Sequence, residues 1–275
     1  MKNANDQYSV LMSVYYKEKG KFLCEAINSI WAQTIPTDDF VLVCDGPLTP
    51  ELDKVIEGME KDHPELRVIR LEKNGGLGNA LNIGIKQCKN ELVARMDSDD
   101  ISRPDRCERQ LEMFKSHPEI SICSGTIEEF TSSTDVIIGK RELPEHDEKI
   151  KVFSRKRNPF NHPAVMFRKT IIEAAGGYNE SFHLFEDYYL WIRVFLKGAV
   201  GYNIREPILY MRTPEDMYIR RGGYSYTLNM LRFHVWLLSC GWTKVLDFII
   251  GAIPHAVVCI LPNKIRGTIY KILHN

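Results

Sequence analysis

Short apolar segments alternate with amphipathic helical patterns through the first half of this chain. The apolar segments, which are typical of buried strands, are 8–14, 40–44, 66–71, 91–96 and 120–123. Helical spacing of apolar residues fills the intervals, at 21–33, 50–62, 75–88 and 104–116. Strands that alternate with helices in this way predict an α/β fold with a mostly parallel central sheet flanked by helices.

The pattern changes after residue 124. Weak alternation over 126–138 predicts a hairpin, and the later segments predict a strand at 164–167, a buried helix at 186–196 and extended chain at 200–210. The length of 275 residues is enough for one large domain with an appendage. We therefore expect a main domain over residues 1–225 and a C-terminal helical segment over 226–275.

Acidic residues follow two of the predicted strands. Asp45 comes directly after the second strand, and Asp97-Ser98-Asp99-Asp100 follows the fourth. The turn after Val14, with Tyr15 and Glu18, lies at the same edge of the sheet. Sheets of this class bind ligands at the carboxyl ends of their strands, so we expect these residues to line one site.

The acidic run packs three carboxylates and a hydroxyl into four positions. Like charges this close destabilise a fold unless something compensates them, and Mg²⁺ or Mn²⁺ holding phosphate oxygens would do so. The alternative is a solvated turn, because Asp and Ser are common turn formers. The position after a strand favours a metal site in which Asp99 and Asp97 are the ligands and Asp100 shapes the turn.

Two further motifs each allow two interpretations. The run Asn74-Gly75-Gly76-Leu77-Gly78-Asn79 opens a helix, where glycines and the helix N-terminus suit an anion, or where they form an ordinary turn and cap. Glu186-Asp187 starts another helix, where acids complement the helix dipole or where one of them is a general base. Spacing alone does not choose between these alternatives.

Other polar side chains carry weaker signals. His162, in Asn161-His162-Pro163, is either a structural histidine or a contact to substrate. Arg212, Arg220 and Arg221 either clamp phosphates or form a solvated basic patch.

Composition and charge narrow the class of protein. Lys plus Arg and Asp plus Glu are both 36, so no basic field favours nucleic acid as a partner. The seven cysteines are irregularly spaced, which indicates reduced thiols, with Cys44, Cys88 and Cys123 in the core. The polar N-terminal stretch lacks the pattern of a signal peptide, so we expect a cytoplasmic protein.

Residues 245–261 are strongly apolar. Asp247, Pro254 and His255 interrupt them, and the stretch is shorter than the ~20 apolar residues of a spanning helix. The cations that follow are Lys264, Arg266 and Lys271. This pattern is typical of a helix in the membrane interface, which would place the protein peripherally on the inner face of the plasma membrane. The alternative is a helix pair packed on the main domain.

Eight segments occur in a fixed order along the chain: Ser9-Val10-Leu11-Met12-Ser13-Val14-Tyr15, Ser29-Ile30-Trp31-Ala32-Gln33-Thr34, Val41-Leu42-Val43-Cys44-Asp45-Gly46, Asn74-Gly75-Gly76-Leu77-Gly78-Asn79-Ala80-Leu81-Asn82, Arg95-Met96-Asp97-Ser98-Asp99-Asp100, His162-Pro163, Gly176-Gly177-Tyr178 and Phe185-Glu186-Asp187-Tyr188. This ordered set resembles glycosyltransferase family 2, which has the GT-A fold. Within that family, the sequence is most similar to the branch that builds amylovoran, other exopolysaccharides and O-antigen.

The resemblance implies an inverting hexosyltransferase that uses a UDP-sugar, Mg²⁺ or Mn²⁺, and an undecaprenyl-diphosphate-linked saccharide as acceptor. Asp187, with Glu186 beside it, would supply the base, and Asp97 and Asp99 would supply the metal ligands. His162 and Asp100 are either acceptor contacts or residues without an assigned role in the site. The nucleotide-sugar-binding set would be Val14, Tyr15, Glu18, Asp45, Asn74, Gly75, Gly76, Asn79, Asp97, Ser98, Arg220 and Arg221.

This chain departs from the family pattern at two places. Cys44 replaces the first acid of the pair that many members carry before the glycine, and no late histidine stands where some relatives have another metal ligand. Arg220 and Arg221 would then take over diphosphate contacts. Two other functions remain open: a sugar-1-phosphate nucleotidyltransferase, which would need a glycine-rich basic loop after the first strand, and a non-catalytic nucleotide-sugar-binding protein.

Overall fold

A computed structural model describes residues 7–213 and 223–260 of the chain. Within these residues nine strands form one sheet, in the order β3-β2-β1-β4-β8-β6-β9-β5, with β7 paired to β6. The strands are β1 (Ser9–Val14), β2 (Asp39–Cys44), β3 (Leu66–Arg70), β4 (Leu92–Asp97), β5 (Ile101–Ser102), β6 (Ile120–Phe130), β7 (Ile137–Arg141), β8 (Met166–Arg168) and β9 (Val200–Arg212).

Helices cover the sheet. They are α1 (Gly20–Trp31), α2 (Pro50–Asp62), α3 (Leu77–Gln87), α4 (Arg106–Ser116), α5 (Asp147–Phe153), α6 (Lys169–Ala174), α7 (Glu186–Leu196), α8 (Tyr224–Ser239), α9 (Val245–Asp247) and α10 (Ile253–Ile260). A π-helical stretch, Phe248–Ala252, joins α9 to α10. Residues 245–260 are therefore one continuous helical stretch, here called the apolar C-terminal segment.

Strand β1 lies between β2 and β4, and all three run parallel. Alternate side chains enter different cores: Leu11 joins one hydrophobic cluster, while Met12 joins the other. Because successive side chains of a strand point to opposite faces, the sheet is buried on both sides, as α/β sheets require. The register pairs Val14 with Cys44 and Ser13 with Asp97, so the carboxyl ends of the three strands meet at one edge.

The sheet is mixed, so the expectation of a mostly parallel sheet is wrong for the second half. Strand β8 runs antiparallel to both β4 and β6, and β5 and β7 also pair in the antiparallel sense. The βα alternation that produces parallel strands ends at residue 124, so nothing in the later sequence imposes parallel crossovers. Among the described residues of this second half, β6 and β9 alone form a parallel pair.

Strand β6 is longer than its pattern predicts. The strand predicted at 120–123 and the first arm of the predicted hairpin are one element, Ile120–Phe130, and β7 supplies the second arm. Most of β6 is buried and pairs with β9 along its length through several bulges, so its sequence does not alternate cleanly.

Helix α8 begins at Tyr224. The ring of Phe233 in α8 packs on Phe185 and Tyr188, with centroids 5.4 and 4.7 Å away. Further along, Trp242 stacks on Phe195 and donates to the hydroxyl of Ser154. Among residues 7–213 and 223–260, no helix combines the length and the apolar content needed to cross a membrane.

Candidate active site

Asp45 closes the corner between β2 and the glycine-rich loop. Its carboxylate accepts the backbone N–H groups of Gly75 over 2.7 Å and Gly76 over 3.0 Å, and the side chain of Asn74 donates to its carbonyl over 3.1 Å. Gly76 has φ +86° and is the N-cap of α3, a conformation that favours glycine. The N–H groups of Gly75 and Gly76 are therefore already hydrogen-bonded to a carboxylate. Asp45 thus fixes the conformation of the glycine-rich loop.

The acidic turn Asp97–Asp100 begins at the last residue of β4. Both terminal nitrogens of Arg95 donate to the Asp97 carboxylate, Nη1 to Oδ2 over 2.9 Å and Nη2 to Oδ1. Ser98 donates to Glu18 of the turn after β1 over 2.9 Å. The turn predicted from the first strand and the turn predicted from the fourth are therefore in direct contact.

Burial and neighbouring carboxylates both act on Asp99 and Asp100. Burial first, and then Asp97 and Glu18, raise the pKa of Asp99 to about 7. Burial, followed by Asp99, raises the pKa of Asp100 well above its ordinary value. Carboxyls in this state bind a proton or a cation readily, because either one removes the repulsion.

The acidic turn fits a divalent cation. One oxygen each from Asp97, Asp99 and Asp100 lie within 4.8 Å of one another. Oδ1 of Asp100 accepts the backbone N–H of Arg212, whereas Oδ2 is buried and has no hydrogen-bond partner among the described residues. Oxygen ligands of this kind are what Mg²⁺ and Mn²⁺ prefer.

Arg212 takes neither of the two roles that its sequence suggested. Its guanidinium donates to the carbonyl of Asp99 and to Glu25, and it lies over the rings of Phe22 and Phe130 at 3.9 and 4.5 Å. The side chain of Arg212 therefore points into the protein and stabilises the acidic turn. These partners lie far away in sequence, so no local signal identifies the role. Arg220 and Arg221 lie outside the described residues.

Asp187 stands in the first turn of α7. Its two oxygens accept the side-chain amide of Asn158 over 2.6 Å and the backbone N–H of Tyr188 over 2.7 Å. Burial raises the pKa of Asp187, and these hydrogen bonds oppose the shift. A carboxyl with a raised pKa suits a general base that must release its proton again.

The backbone is strained immediately before this helix. Leu184 has φ +68°, the single positive φ of a non-glycine residue within the described ranges, and such strain often marks functional sites. Glu186 faces His183 at 3.3 Å. The two acids of the Glu186-Asp187 pair thus have different surroundings, and Asp187 is the one held by neutral donors.

His162 contacts Tyr178, whose hydroxyl is near enough to Asp187 to be affected by its charge. Its Nε2 lies 2.8 Å from the Tyr178 hydroxyl, and its ring packs on Trp191. Burial, followed by Arg95, lowers the pKa of His162 well below its usual range, so the imidazole is neutral. Sequence reasoning missed Asn158 and treated Arg95 and Tyr178 only as parts of larger motifs.

The profile of Glycosyl transferase family 2 matches residues 9–175. This range covers the paired strand ends, the glycine-rich loop and the acidic turn, and it spans more than half of the chain. The chain belongs to glycosyltransferase family 2. It is therefore a glycosyltransferase, and its mixed sheet flanked by helices is a GT-A-like fold.

This family 2 transferase is similar to several curated proteins. It is 36% identical to a UDP-Gal:alpha-D-GlcNAc-diphosphoundecaprenol beta-1,3-galactosyltransferase of Escherichia coli, over 98% of both chains. It is 34% identical to the amylovoran biosynthesis glycosyltransferase AmsE of Erwinia amylovora, over 96% of this chain and 98% of that protein. The resemblance to amylovoran and O-antigen transferases is thereby confirmed.

Solved structures share the fold at low identity. S. aureus TarS 1–349 in complex with UDP-GlcNAc matches with a TM-score of 0.61 at 19% identity, over 84% of this chain and 66% of that chain. The transferase therefore spans about two thirds of that TarS chain. The mannosyltransferase PcManGT of Pyrobaculum calidifontis, in complex with GDP-Man and Mn²⁺, matches with a TM-score of 0.61 at 14% identity, over 97% of this chain and 79% of that chain.

Proposed function

We propose that this transferase moves a hexose, either galactose or an N-acetylhexosamine, from a UDP-sugar to a lipid-linked saccharide during surface-polysaccharide assembly. The observation that carries the proposal is the place of Arg95, which is 1% exposed. It pairs with Asp97, and its positive charge opposes the rise in pKa that burial causes at Asp99 and at Asp187. One buried cation thus acts on both the acidic turn and the proposed base.

The donor and acceptor classes rest on the relatives. The E. coli protein is named for UDP-Gal and for GlcNAc-diphosphoundecaprenol, and similarity over nearly the whole chain supports the same classes here. Linkage and sugar identity depend on pocket details, since a single hydroxyl can decide specificity.

The proposed reaction is a single displacement at the anomeric carbon. Asp187 accepts the proton of the acceptor hydroxyl. The oxygen of that hydroxyl attacks the anomeric carbon from the face opposite UDP, and the bond between the sugar and UDP breaks. An α-linked donor then gives a β-linked product. Asp99 and Asp97 would hold Mg²⁺ or Mn²⁺, whose charge neutralises the departing diphosphate when the ion is bound. Within the described residues, Asp45 and the glycine-rich loop would line the nucleotide side.

A donor panel tests this function. Purified protein with Mn²⁺, a GlcNAc-diphosphate lipid analogue and each of several UDP-sugars should release UDP with one preferred sugar, only when the acceptor is present. NMR of the product should show the β anomer. Formation of UDP-sugar from UTP and a sugar 1-phosphate would instead indicate a nucleotidyltransferase. Tight UDP-sugar binding without turnover on any acceptor would indicate a binding protein.

We also propose that the apolar C-terminal segment contacts the membrane. It exposes a row of apolar side chains: Val245, Leu246, Ile249, Ile250, Ile253, Val257 and Ile260. Ala252, Ala256 and Cys259 of the same segment are buried, and the segment contacts helix α8. A helix that is apolar on both sides suits a position between protein and lipid. The cations expected to follow it lie outside the described residues.

Charged substitutions in this row test membrane contact. Leu246 and Ile250 are 65% and 57% exposed, so the double variant Leu246→Glu/Ile250→Glu should fold yet bind anionic vesicles at least about tenfold more weakly. Flotation or co-sedimentation with vesicles measures this. Val136→Glu/Ile138→Glu, at 60% and 53% exposure near β7, is the matched control and should bind as wild type. Equal binding by all three proteins would contradict the proposal.

A further inference from the structure

Asn158 holds one oxygen of the Asp187 carboxylate. Its amide nitrogen donates to Oδ2 over 2.6 Å, while Oδ1 accepts the backbone N–H of Tyr188. An ionised carboxylate only accepts hydrogen bonds, so the nitrogen of the amide, and not its oxygen, faces Asp187. Each carboxylate oxygen therefore has one fixed donor, and the two donors together set the plane of the group.

The loop that carries Asn158 is anchored to the same helix as Asp187. The amide oxygen of Asn158 accepts the N–H of Phe160 over 3.4 Å. The buried ring of Phe160 packs edge-on against Trp191, with centroids 5.6 Å apart. Trp191 lies one helical turn after Asp187, so loop and helix meet both at the base and at the next turn. This arrangement keeps the amide aimed at the carboxylate.

The charged and titratable groups around Asp187 act in opposite directions. Burial raises its pKa; the largest opposing effect is the hydrogen bond from Asn158, followed by the Tyr188 N–H and the charge of Arg95 on β4. Glu186, on the same helix, adds a small increase in that pKa. Burial raises the pKa of the hydroxyls of Tyr178 and Tyr188, and the Asp187 charge raises it further, so both stay neutral.

We propose that Asn158 is a positioning residue that keeps the Asp187 carboxylate ionised and aimed at the acceptor hydroxyl. This inference rests on the proposed role of Asp187 as the base. Without the amide, the buried carboxylate keeps its proton to higher pH, so fewer molecules can accept a proton from the acceptor at a given pH. A residue that acted through packing alone would change kcat by the same factor at every pH.

The pH dependence of kcat, at saturating donor, acceptor and Mn²⁺, tests this role. In Asn158→Ala we expect the acid limb to move upward by about one to two pH units, as loss of a hydrogen bond to a charged group would produce. Activity should return toward the wild-type value on the alkaline side of the limb. Asn158→Asp keeps the size of the side chain and its acceptor for Phe160, but replaces the donor by a second acid, so the limb should move further.

Asn229→Ala is the matched control. This amide donates to the carbonyl of His183 over 3.2 Å, just before α7, and is not among the donors to Asp187. Its acid limb should coincide with that of wild type. An unmoved limb in the folded Asn158 variants, or an equal shift in Asn229→Ala, would overturn the inference. If the alanine variant does not fold, the acid limb of Asn158→Asp tests the inference. Wild-type protein without activity would overturn the proposed function and not the positioning role.

Discussion

Replacing Asp187 by asparagine should lower kcat by about 10²–10⁴-fold, because the acceptor hydroxyl loses the group that takes its proton. The amide is similar in size, so the helix should keep its packing. The KM for the donor should change little, since the base acts on the acceptor. Steady-state UDP release with the lipid-linked acceptor measures both constants.

A substitution of the same type at the surface controls for nonspecific damage. Asp105 pairs with Arg109 of α4 at 2.6 Å, and both side chains are more than a third exposed. Such pairs contribute little to stability, so Asp105→Asn should retain wild-type kcat. Near-full turnover by Asp187→Asn with the native acceptor would show that another group is the base.

Replacing Asp99 by alanine should abolish measurable Mn²⁺ binding and lower kcat/KM by at least about 10²-fold, the loss expected when stabilisation of a leaving group is removed. Calorimetric titration of the protein with Mn²⁺ in the presence of UDP gives the binding readout without turnover. EDTA should inactivate the wild-type enzyme, and added Mn²⁺ should restore it.

The fold of the Asp99 variant should survive, because Arg212 binds the backbone carbonyl of Asp99 and not its side chain. Asp53, in an ion pair with Arg70 on the surface, offers a control: Asp53→Ala should titrate with Mn²⁺ as wild type. Activity insensitive to EDTA, together with unchanged donor affinity in Asp99→Ala, would remove the metal role from the acidic turn.

The sequence was sufficient where structure is local. Helix α2 begins and ends at the predicted residues, and α7 also matches its prediction, because the pattern of apolar residues within each segment indicates a helix. The strand ends that carry Asp45 and the acidic turn were placed in the same way. Buried Cys44, Cys88 and Cys123 confirm the expected core positions.

The remainder depends on contacts between distant residues. Asn158 reaches Asp187 across 29 positions, and Arg212 reaches Asp99 across 113; no periodicity encodes such pairs. The two-residue strand β5, which its sequence does not predict, forms where it pairs with β9. The role of Arg95 could not be predicted for another reason. A cation within an apolar strand pattern does not indicate a role until the structure shows that it pairs with Asp97.

The contact between Asp45 and the two glycine N–H groups has a consequence for donor affinity. A loop that must order itself around a ligand loses conformational entropy at that moment, and the loss weakens binding. In this transferase the carboxylate of Asp45 holds Gly75 and Gly76 in place. The glycine-rich loop therefore loses its conformational entropy during folding and not when the donor binds. The contribution that we propose for Asp45 to donor affinity is then the avoidance of this entropy loss, even where its carboxylate makes no contact with the nucleotide.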